Sequence, residues 1–71
     1  MDKVSLLDEL RRVETAVVEG ERQLAQQEAF LVGLKRQNRD FSQAQAELEM
    51  MRKNQQSQEQ DRRRLLSMLQ P

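Results

Sequence analysis

Seventy-one residues, with no Cys, no His and twelve basic side chains balanced by twelve acidic ones, allow at most one small domain. That composition excludes disulfides and thiolate metal sites, and it removes the commonest metal ligand and general base. A charged fraction of 34%, abundant Gln and only two aromatic residues, Phe30 and Phe41, suit long solvated helices.

Uninterrupted apolar runs reach no more than four residues, Ala29 to Val32, so no membrane span and no signal-peptide core are expected. With no leader and an N-terminal Met, the expectation is a complete small cytoplasmic protein. A chain this short needs a staple, and without Cys or His the staple left is self-association or docking on a partner.

The first predicted element is a helix over about residues 3–37. Its apolar positions run Leu6, Leu10, Val13, Val17, Gly20, Leu24, Gln27, Leu31, Leu34 and then Asn38. The steps alternate four and three, which is the period of a coiled-coil seam, with Gly20 and Gln27 as lapses. A second helix is predicted over about residues 41–69, with the seam Phe41, Ala44, Leu48, Met51, Gln55, Gln58, Arg62, Leu65 and Leu69. Strands are excluded by this spacing and by the shortage of β-branched and aromatic residues.

The two seams join through two consecutive steps of three, Asn38 to Phe41 to Ala44. A continuous rod would absorb that as a stammer. The local chemistry favours a turn at Asn38, Arg39 and Asp40. Lys35 and Arg36 complement the C-terminal end of a helix dipole, and Asn38 suits the left-handed conformation that ends helices. Asp40 with Gln43 three residues on has the spacing of a capping box.

The predicted fold is therefore all-α: an antiparallel two-helix hairpin, coiled-coil-like, that dimerises into a four-helix bundle. Facing residues should have numbers summing to about 78, within about one helical turn. The hairpin core is predicted to be Leu6, Leu10, Val13, Val17, Leu24, Leu31, Leu34, Leu48, Met51, Leu65 and Leu69. Both ends are apolar, whereas the middle sets Gly20 and Gln27 against Gln55, Gln58 and Arg62. Those polar residues need hydrogen bonds or a route to solvent, and Gly20 permits close approach of the opposite helix. Val18, Ala25 and Val32 continue a partial stripe from Val4, interrupted by Arg11. With Phe30 and Met50 they form the candidate partner surface.

No motif carries catalysis. Glu14, Glu21 and Glu28 recur every seven residues, which reads as a solubilising stripe, and the lone Gly20 and Gly33 make no phosphate-binding loop. No cofactor or metal is expected. Arg11, Arg12 and Arg62 to Arg64 invite a nucleic-acid reading, but Glu14, Glu19, Glu59 and Asp61 offset them and the net charge is zero. The segment Arg62 to Leu69 has the pattern of a short membrane-surface helix, yet its leucines are those that close the open end of the hairpin.

Short segments resemble a group of small uncharacterised helical-hairpin proteins of alphaproteobacteria. They are Glu19-Gly20-Glu21-Arg22 with Leu24-Ala25 and Gln27, Asp40 with Ala44 and Leu48, and Asp61-Arg62 with Arg64-Leu65-Leu66. Together they span about two thirds of the chain. The turn of that group resembles Gly-His-Asp-Thr, where this chain has Asn38, Arg39, Asp40 and Phe41. The resemblance implies a small bacterial protein with a break near Asp40, and no activity. The function expected is a non-enzymatic scaffold or adaptor that binds itself or a helical partner. The alternative is a small nucleic-acid-associated regulator using Arg11, Arg12, Arg63 and Arg64.

Overall fold

A computed structural model describes residues 2–70 as two antiparallel helices, α1 (Lys3–Arg36) and α2 (Ser42–Leu69), extending 53 × 14 × 14 Å. The chain folds back on itself; it is not a rod.

Asp2 caps the start of α1, accepting a 2.7 Å hydrogen bond from the Ser5 amide, which holds its carboxyl below the usual carboxylate range. At the other end Asn38 adopts φ 54°, the left-handed conformation. The Arg39 amide then donates to the Leu34 carbonyl (3.0 Å) and the Asn38 amide to that of Lys35 (3.2 Å). These are the two bonds of a Schellman motif, so Asn38 stands where Gly is most often found.

The restart differs from the expected capping box. Asp40 accepts from the amide of Ser42 (3.0 Å) and from its hydroxyl, which lowers the Asp40 pKa, while Gln43 turns outward to Glu47 (3.4 Å). An Asp oxygen satisfied two residues on forms a local turn instead of a helix cap. As a result α2 begins at Ser42, not at residue 41. Phe41 therefore stands outside the helix and outside the core, 39% exposed, with the Lys35 ammonium 4.9 Å from its ring centroid. At the end of α1, Gln37 caps the helix, which stops one residue short of the predicted boundary.

Two apolar clusters hold the helices together. At the open end Leu6, Leu10 and Leu65 are buried, with Val13 and Leu69 packed against them. Near the turn Leu31, Ala44 and Leu48 are buried, with Leu24 and Leu34 against them. Each buried Leu contributes roughly 1.5–3 kcal/mol relative to exposure. Between the clusters Val17 and Gln55 are buried and Met51 is half-buried. Gln55 meets Gly20, whereas a sum of 78 sets it against Gln23; this offset is about one helical turn.

Arg62 departs from its predicted place in the seam. It is exposed, while the neighbouring Asp61 and Gln58 are half-buried. Leu65, only 2% exposed, closes the layer instead.

Candidate functional site

The middle of the hairpin is its most specific feature. The Gln55 side chain is 8% exposed, and its Nε2 donates to the Val17 carbonyl across the helix pair at 2.8 Å. That carbonyl already serves the α1 backbone, but an oxygen has a second lone pair. In a helix the carbonyl of one residue is overhung by the side chains three and four positions on. Three positions after Val17 stands Gly20, which has no side chain.

A Cβ added at Gly20 would lie 1.9 Å from the Gln55 Oε1 and 2.9 Å from its Cδ. The glycine therefore makes the seat that the glutamine occupies. Gly33 differs: a Cβ there meets nothing within 4 Å.

Nearer the turn a second glutamine crosses in the opposite direction. The half-buried Gln27 donates to the Ala44 carbonyl of α2 at 3.0 Å and approaches Glu47 at 3.4 Å. Among the described residues no buried side-chain nitrogen or oxygen lacks a hydrogen-bond partner. The polar layers are thus satisfied, the condition on which such residues enter a helix interface. Beside Gln55 a shallow groove of about 260 Å³ opens between Gly20, Gln23, Met51 and Asn54. It is smaller than ordinary ligand sites.

The candidate partner residues do not form one patch. Val18, Ala25 and Val32 are all exposed and recur every seven residues along α1. Phe30 is two residues from Val32, so it faces another way and borders a separate groove with Leu34, Gln43, Ala44 and Glu47. Met50, 65% exposed, lies on α2.

Arg11, Arg12, Arg63 and Arg64 are exposed, and Arg64 approaches Asp61 at 3.8 Å. Arg22 chelates Glu19 at 2.7 Å, and this hydrogen bond holds the Glu19 carboxyl below its ordinary pKa. Glu28 of the acidic stripe approaches Arg52 of α2 at 3.6 Å. Among the described residues there is no group of three acidic side chains placed to hold a metal ion, and no helix is long and apolar enough to cross a membrane.

Sequence reasoning missed the Asp2 cap, although an Asp just ahead of the first helical pattern is a recognisable start signal. It also missed where the two glutamine amides go, which no local pattern encodes. No family model, no curated protein and no solved structure matches this chain.

Proposed function

We propose that the chain is a non-catalytic helical scaffold or adaptor whose working form pairs hairpins, or seats a helical partner, through side chains left outside its own core. One observation carries this reading. Val4, Val18, Phe30, Val32, Met50 and Met68 are each at least 46% exposed, in a hairpin whose own apolar contact is two separated clusters. Two helices alone make a thin core, and covering part of this surface would supply the stabilisation that a chain of this length otherwise obtains from disulfides or metals. Pairing of two hairpins as a coiled-coil-like four-helix dimer is the form we favour. The proposed setting is the cytoplasm, which suits a chain without Cys.

The test is light-scattering mass after gel filtration, with circular dichroism on the same fractions. A helical species of about twice the 8.4 kDa chain mass is expected. A monomer lacking helical signal would sink the reading.

The second reading, a nucleic-acid-associated regulator, draws on the exposure of Arg11, Arg12, Arg63 and Arg64. Counterion release would make its binding steeply salt-dependent. A gel-shift titration at low and moderate salt with no shift at micromolar protein would end it.

A further inference from the structure

We propose that a second copy of this chain docks antiparallel along α1, with a two-fold axis passing beside Val18. This rests on the self-association proposed above, and adds its surface and its symmetry.

Val4, Val18 and Val32 are 68%, 65% and 46% exposed. Val18 stands fourteen residues from each of the other two, about 21 Å along the helix in either direction. The row shares the seven-residue period of the seam packed on α2, so it keeps a constant offset from that seam along the whole helix. A surface symmetric about its own midpoint matches itself after a half turn, which is the requirement of an isologous contact. In this docking Val18 meets the partner's Val18, and Val4 meets the partner's Val32.

The two intermediate members of the row are Arg11 and Ala25, seven residues either side of Val18. The half turn sets Arg11 on the partner's Ala25. That small residue leaves room for the arginine stem. On the same helix Glu21 and Glu28 lie one turn to each side of Ala25.

Neither Arg11 nor Glu21 forms an ion pair with another described residue, so each has its charge available. Parallel docking would instead set Arg11 on Arg11 and Glu21 on Glu21, and like charges in register oppose association. The row runs about 42 Å along a hairpin 53 Å long.

The chain has no Cys, so a single introduced thiol reports one position. The variants Val18→Cys, Val4→Cys and Val32→Cys are each oxidised at micromolar concentration and run without reductant. All three positions are exposed, so the hairpin core is untouched. Val18→Cys alone is expected to form a disulfide dimer. Val4→Cys alone and Val32→Cys alone are expected to stay uncrosslinked, because their sulfurs lie roughly 42 Å apart across the dimer. Equal amounts of those two variants, mixed and exchanged, are expected to form the mixed disulfide.

Self-crosslinking of Val4→Cys and Val32→Cys overturns the proposal in favour of parallel docking. If scattering reports a dimer that none of the thiols captures, this surface is overturned while self-association stands. A monomer by scattering overturns both.

Discussion

Gln55 and Gln27 both cross the hairpin to a backbone carbonyl of the opposite helix, but they are held differently. Gln55 is buried over Gly20, with a 2.8 Å bond to Val17. Gln27 is half-buried, its bond to Ala44 is 3.0 Å, and its amide also approaches Glu47. The residue three positions after Ala44 is that Glu47, which carries a side chain where Gly20, three positions after Val17, carries none. In this hairpin the carboxamide that is buried is the one set against a residue with no side chain. The lapse at Gly20 and the polar residue at Gln55 look like two weaknesses along the chain. In the fold they are one complementary unit.

The sharpest way to break that unit is to fill the seat. Gly20→Leu places a branched side chain where Gln55 lies, and the helices must separate or Gln55 must leave. Overpacking of this kind costs about 1–3 kcal/mol, with the lost hydrogen bond adding about 1 kcal/mol. Urea unfolding followed by circular dichroism should show the largest loss of stability among the changes considered. A Gly20→Leu protein as stable as the parent would mean that the close approach at Gly20 is unimportant.

Removing the glutamines tests the difference between them directly. Gln55→Ala should cost about 1–2 kcal/mol, because it loses a satisfied buried amide and opens space between the clusters. Gln27→Ala, at a more solvated site, should cost about 0.5 kcal/mol or less. Equal losses in the same unfolding experiment would contradict the distinction drawn between the two layers.

Gly20→Ala sharpens the comparison further, because two effects of opposite sign meet there. Alanine improves helix propensity by about 1 kcal/mol over glycine. Its Cβ also displaces the Gln55 amide, forfeiting roughly 0.5–1.5 kcal/mol. The single change should therefore be nearly neutral. With Gln55→Ala already present there is no amide to displace, and the same change should stabilise by about 1 kcal/mol. A double-mutant cycle should return a coupling of about 1 kcal/mol between the two positions. Strict additivity would show that they do not act as a unit.

Particular residues show how far the sequence could be read. Leucines stepping by four and three declare a helix pair, since only a side chain on the recurring face can stay in contact along the whole length. The doubled step of three after Asn38, with the basic residues before it, declares the break. The period says which face a residue occupies, but not what a long side chain does there. Arg62 and Gln55 hold equivalent seam positions; one extends to water and the other folds into the seat over Gly20. That choice depends on the opposite helix, which a local pattern does not contain. Phe41 shows a second limit. A shift of one residue in where α2 starts, at the Asp40 and Ser42 turn, leaves the Phe41 ring outside the helix whose seam it was expected to open. The surface of α1 is legible only as spacing: Val4, Val18 and Val32 lie outside the seam, and their symmetry has meaning only once α2 is known to cover the other side.

The turn sets the register that both glutamines depend on. Asn38 is at φ 54°. Glycine reaches that region without steric cost, so Asn38→Gly should be neutral or stabilise by no more than about 0.5 kcal/mol. Asn38→Val, β-branched in the same conformation, should lose about 1–2 kcal/mol. The neighbouring Asp40 carboxyl has its pKa lowered by the Ser42 hydrogen bonds, as the Asp2 carboxyl is by Ser5. A carboxyl whose pKa is depressed by folding contributes stability above its unfolded pKa and loses it as the pH falls through the folded value. Both groups are exposed, so the expected signature is a shallow loss of thermal stability on acidification through the carboxylate range. Asp40→Asn should flatten that loss, because the amide oxygen still accepts from Ser42 without titrating. An unchanged acid limb would remove Asp40 from the set of groups that hold the turn.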